Sequence, residues 1–220
     1  MYSKASRRPG TREAATDSKV GPITNGGITM KKSLGPKILV GATPVWVVGT
    51  YDKEGRPNLM TAAWAGVCCS DPPCVGISLR KATYTHGSLK GSNAFTVSLP
   101  SMAYVKETDY VGIASGRNTD KWQVAGLTPV RSDVVDAPYV AEFPLVFECK
   151  LLHVLELGLH THFIGEVLDV KAEESVLTGE GILEIEKVEP FLYIPGNRTY
   201  FGIGRYLGKA HSIGAGLAKK

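Results

Sequence analysis

The chain has 220 residues, 43% apolar, with 25 glycines, 13 prolines and many short apolar runs, which suits one strand-rich barrel core better than a helical bundle. No window approaches the roughly 18 consecutive apolar residues a membrane helix needs, and the basic N-terminus has no apolar stretch behind it, so a cytoplasmic protein with no membrane contact is expected. The net charge of +4 conceals basic ends around an acidic middle, with twelve Lys or Arg against nineteen Asp or Glu between positions 38 and 189, and a broad basic face for nucleic acid is not supported.

Residues 1–29 are polar, basic and without apolar periodicity, and read as a disordered arm. Met30-Lys31-Lys32 looks like the start of the folded body, or of the native protein. Pro44 to Tyr51 is β-branched and aromatic and predicts a strand ending at the Lys53–Pro57 turn. The stretch Asn58 to His86 then reads as strand, a turn at Ser70–Pro73, strand over Cys74–Leu79, and a helix start. Thr83 can cap that helix, whose first-turn amides lack intrahelical partners, and Arg80 and Lys81 add positive charge in front of it. A phosphate monoester fits this composition; so does an ordinary capped helix with two solvated basic residues. Small residues Ala62, Ala63, Ala65 and Gly66 leave room beside Trp64 for another flat ring.

Ala94–Leu99 alternates with period two and predicts a half-buried strand, and Met102–Ala114 predicts an amphipathic helix. Ser115–Trp122 reads as a loop in which Asp120 starts a short helix. Phe143–Leu157 and Leu159–Val170, broken at Gly158, predict a long hairpin that places His160 and His162 on one face. Phe191–Ile194 and Thr199–Phe201 predict a last strand pair, and 209–220 a frayed tail. The cysteines at 68, 69, 74 and 149 lack zinc-ribbon spacing and an export context, and are expected to be buried apolar fillers; no metal site is expected. Neither a Gly-x-Gly-x-x-Gly dinucleotide fingerprint nor a Gly-x-Ser-x-Gly elbow is present.

Asn58-Leu-Met-Thr-Ala-Ala-Trp64, Ser70-Asp-Pro-Pro73, Ser78-Leu-Arg80 and Thr83-Tyr-Thr-His86, in this order, resemble the flavin reductase-like, FMN-binding split-barrel family, most closely its flavoredoxin branch. The resemblance runs from about 30 to 208 and is specific in the first half. It implies a mainly β, Greek-key-like split barrel with flanking helices, usually a homodimer. It also implies that Asn58, Met60, Thr61, Ala62, Trp64, Ser78, Leu79, Arg80 and Thr85 lie along FMN. By the same resemblance Thr83 holds phosphate, and Lys121 and His160 tune the flavin. Either Phe191 or Tyr193, as an aromatic, is a candidate to stack at the flavin or across a subunit boundary, or simply to pack in the core. The function so implied is electron carriage through FMN to a partner protein or small acceptor. An NAD(P)H-dependent FMN reductase and a non-redox ligand-binding barrel are the alternatives.

Overall fold

The computed structural model describes residues 31–219; the arm expected over 1–29 lies outside them. Contacts divide the chain into Met1–Lys37 and Ile38–Lys220, and the fold is that of the second unit. Its elements are β1 (Thr43–Pro44), β2 (Trp46–Tyr51), β3 (Pro57–Ala62), β4 (Ala65–Ser70), β5 (Pro73–Arg80), α1 (Tyr84–Gly91) and β6 (Ala94–Leu99). They continue with α2 (Val105–Ile113), α3 (Lys121–Ala125), β7 (Pro129–Arg131), β8 (Pro138–Val140), β9 (Leu145–Leu157), β10 (His160–Ala172), α4 (Ile185–Val188), β11 (Phe191–Ile194) and β12 (Thr199–Gly202).

A seven-stranded antiparallel sheet runs β3-β2-β6-β9-β10-β5-β4, beside a three-stranded sheet β1-β11-β12 and the β7-β8 pair. The two edge strands of the large sheet, β3 and β4, are separated in sequence by Ala63 and Trp64 alone. So short a link between opposite edges requires the sheet to curl into a barrel. The Ser78 amide donates to the Trp64 carbonyl at 2.7 Å, which carries the ladder past β4 to this seam. The chain passes from β5 through α1 to β6, with the β9-β10 hairpin intervening between them in the sheet. That long return makes the topology Greek-key-like, as expected.

Alternation in β2 divides the packing. Trp46 and Val48 face the barrel interior with Ile77, Leu79, Phe95, Val97, Cys149 and Phe163, while Val47 faces outward with Leu59, Val111, Trp122 and Phe143 beneath the helices. Phe95 and Phe163 are fully buried, and truncating either to Ala would cost about 3–5 kcal/mol. Gly49 admits the outer layer: a Cβ there would lie 1.9 Å from the Pro138 carbonyl oxygen, so any side chain would push β8 off β2.

Three local expectations are revised. The first strand of the Asn58 stretch is two strands, because the chain must cross the seam at Ala63–Trp64. The helix over 102–114 opens with a 3-10 turn, Met102–Tyr104, before α2. Cys74 and Cys149 are buried, but Cys68 and Cys69 are exposed, because β4 is an edge strand. Near the C-terminus, Ala215–Lys219 form a 3-10 turn. No helix among the described residues is long and apolar enough to cross a membrane.

Candidate functional site

Trp64 sits on the seam, immediately before β4. Next to it, β10 pairs antiparallel with β5 so that His160 faces Arg80 and His162 faces Ser78. Thr161 between them points into the barrel and is fully buried, which leaves both histidines on the outer face, as the period-two reading requires. The Trp64 and His160 rings are stacked, with centroids 6.2 Å apart and planes 7° apart. Tyr193 of β11 is tilted 42° against Trp64 at 6.3 Å. Its strand is fixed by pairing with β1, where the Thr43 hydroxyl donates to the Tyr193 carbonyl. His162 Nδ1 and Ser78 Oγ lie 2.8 Å apart, so the Ser78 side chain is already oriented from the outer side.

Trp64, Ser78, His160 and Tyr193 border a cavity of about 720 Å³. Met60, Thr61, Ala62, Trp64, Ser78, Arg80, Thr83, His160 and Tyr193 all line it, and Asp109, Ile113, Leu159, Arg198 and Tyr200 complete the wall. Arg80 is exposed at the mouth, beside the N-terminus of α1. Thr83 caps that helix as expected, accepting from the His86 amide, and its hydroxyl donates to the Arg80 carbonyl at 2.9 Å. The Thr61 hydroxyl is likewise committed, to the Thr108 carbonyl. At the far side the Tyr200 hydroxyl donates to Asp109 at 2.8 Å, and burial, followed by this bond, raises its pKa.

Five expected residues lie elsewhere. Asn58 and Lys121 border a neighbouring polar cavity of about 660 Å³, with Asp52, Arg56, Tyr84, Gly116 and Arg117. Gly116 is required there, since a Cβ would come within 2.3 Å of Asn58 Oδ1. Lys121 is only 4% exposed; its ammonium donates to the carbonyls of Val111 and Ala114 at the C-terminal end of α2, at 2.9 and 3.3 Å. Burial lowers its pKa to about 8. Leu79 and Thr85 border neither cavity. Leu79 is in the barrel core, and Thr85, 1% exposed, accepts a 2.8 Å hydrogen bond from the Asn58 side-chain amide. Phe191 is buried against Tyr200 rather than facing the cavity.

Sequence reasoning missed Asp109, Arg198 and Tyr200. The helix face of α2 gave no sign of the first, and the other two reach the cavity only because β12 folds back on β11. Among the described residues no three His, Cys, Asp or Glu side chains are grouped to hold a metal.

The site lies within residues 41–202, which match the flavin reductase like domain family. A flavoredoxin of Desulfovibrio vulgaris (Miyazaki F) is 54% identical, with a TM-score of 0.80 over 84% of this chain and 100% of that one. Flavoredoxin from Methanosarcina acetivorans is 30% identical, with a TM-score of 0.77 over 86% of this chain and 98% of that one. A high molecular weight rubredoxin of Moorella thermoacetica is 32% identical over 122 residues, 54% of this chain and 52% of that protein. The seam and the cavity thus fall inside the matched span, and the chain belongs to the flavin reductase like domain family.

Proposed function

We propose that the chain is an FMN flavoprotein of the flavoredoxin kind, holding FMN in the Trp64–His160 cavity and passing electrons to a partner protein or small acceptor. Its residues fit the group. The cavity volume is that of a small-molecule site, with an aromatic wall for a flat ring and few polar groups to orient it. Trp64 and Tyr193 supply apolar surface, His160 and Ser78 can hydrogen-bond to the ring's polar edge, and Arg80 with the α1 N-terminus suits a phosphate. FMN, when bound, supplies a ring that takes up and releases electrons, and the protein sets its orientation and surroundings. The placement of Trp64, His160 and Arg80 around one cavity, in a chain 54% identical to a flavoredoxin over that protein's full length, carries the reading.

A second reading, an NAD(P)H-dependent FMN reductase, is favoured by Arg198, an exposed guanidinium on the far wall of the same cavity. It could meet the phosphate of a second ligand. Adding NADH or NADPH anaerobically to the FMN-loaded protein separates the two: rapid bleaching of the flavin supports the reductase. Bleaching only by a reduced electron-transfer protein supports the carrier. A protein that cannot be loaded with FMN contradicts both and leaves a non-redox ligand-binding barrel.

We also propose that the working form is a homodimer. Leu152, Val154, Leu155, Leu157 and Leu159 on the β9-β10 hairpin are all exposed, apolar side chains of the kind a protein–protein contact covers. Light scattering should give about twice the 23.6 kDa chain mass.

A further inference from the structure

Three of the four cysteines gather on one hairpin at the open edge of the barrel. In the β4-β5 pair Cys69 is directly opposite Cys74, two positions from the Asp71-Pro72 turn, with Ser70 opposite Pro73 between. Directly opposed residues of an antiparallel pair send their side chains to the same face, with Cα atoms about 4.5 or 5.5 Å apart. That lies inside the roughly 4.4–6.8 Å span of disulfides. Cys68 is where the register shifts between Val67 and Cys69, so the bulge leaves it without a partner on β5. It is also a poor partner for Cys69, because adjacent Cα atoms are about 3.8 Å apart, short of that span. Cys149 is wholly buried in the barrel interior.

The two opposed thiols differ in access. Cys69 is exposed, and its thiol donates to the Asp71 carbonyl at 3.3 Å. Cys74 is 5% exposed. Burial raises its pKa, and the neighbouring Cys69 and Cys68 raise it further, as expected for thiols crowded together. Among the described residues β4 has no strand on its outer side, so the Cys69 strand can adjust toward Cys74, which the β5–β10 ladder holds in place.

We propose that Cys69 and Cys74 form a reversible dithiol–disulfide site, closed by exchange with a small-molecule disulfide. The Cys69 thiolate attacks one sulfur of the reagent, forming a mixed disulfide and expelling one thiolate. Cys74 then loses its proton and attacks the Cys69 sulfur, which expels the second thiolate. Two protein thiols are oxidised to one disulfide, and one reagent disulfide is reduced to two thiols.

The test uses the full chain and glutathione disulfide as the probe, followed by alkylation of free thiols and mass spectrometry. All three hairpin cysteines lie in the tryptic peptide Glu54–Arg80, so the bridge is read after mild acid cleavage at the labile Asp71–Pro72 bond. The expected wild-type result is that the two halves stay joined, Cys68 is alkylated, and dithiothreitol restores separate halves. Cys68→Ala should close as wild type does, and Cys74→Ala should stop at a mixed disulfide on Cys69. Halves that separate after oxidation, or a bridge that needs Cys68 and survives Cys69→Ala, would overturn the proposal.

Discussion

The rings of Trp64 and His160 lie parallel, 7° between their planes and 6.2 Å between their centroids. One comes from the seam between opposite edges of the sheet, the other from the first residue of β10, and neither neighbour in sequence would place them together. Barrel closure does. If this wall receives the flavin ring, Trp64→Ala should weaken FMN and riboflavin alike, by at least about tenfold, or about 1.4 kcal/mol. Parallel fluorescence titrations check it, and unchanged affinities would move the ring elsewhere.

Arg80 is expected to act on phosphate and not on the ring. Losing a hydrogen bond to a charged oxygen costs about 1.5–3 kcal/mol, so Arg80→Gln should weaken FMN by at least about tenfold while riboflavin binding changes little. Equal losses for both ligands would show that Arg80 does not read phosphate.

Thr85 is buried with its hydroxyl accepting from Asn58 at 2.8 Å. Thr85→Val would therefore leave a buried amide without its partner, and should lower the unfolding free energy by about 1–3 kcal/mol. In denaturant titrations the Asn58→Ala, Thr85→Val double variant should lose less than the two single losses combined.

Lys121 makes the pH dependence directional. Its folded pKa, lowered to about 8 by burial, is below the roughly 10.4 of an unfolded lysine. Between these values the unfolded chain binds the extra proton, so stability rises with pH across that window and the penalty is present in full below it. Lys121→Met should abolish this rise in unfolding experiments run between pH 8 and 10.5. Should the ammonium also favour the reduced flavin from its separate, neighbouring cavity, the variant's FMN midpoint potential should fall, by about 30 mV for each 1.4 kcal/mol in a two-electron couple. A potential unmoved by the variant would confine Lys121 to holding the end of α2.

Most strands were legible because their signals are local. Alternation set β6 and the histidine face of β10, and Gly158, at φ +53°, marked the turn between the two long strands. The Asn58–Trp64, Ser78–Arg80 and Thr83 segments were legible as a candidate site through resemblance, and most of their side chains line one cavity. What could not be read depends on closure and depth. Composition cannot say that Trp64 bridges opposite sheet edges, that a lysine is buried on helix carbonyls, or that vicinal cysteines face water because their strand is an edge. Asp109 and Tyr200, joined at 2.8 Å, are 91 positions apart in sequence, beyond any periodicity.

The central claim is that this chain binds FMN in the Trp64–His160 cavity. The most direct measurement is an equilibrium titration of flavin-free protein with FMN, followed by absorbance and flavin fluorescence and repeated with Trp64→Ala. The account predicts saturable binding at about one FMN per chain in the micromolar range or tighter, with a shifted spectrum, weakened at least about tenfold in the variant. Absence of saturable binding by folded wild-type protein, or full-strength binding by Trp64→Ala, would contradict it.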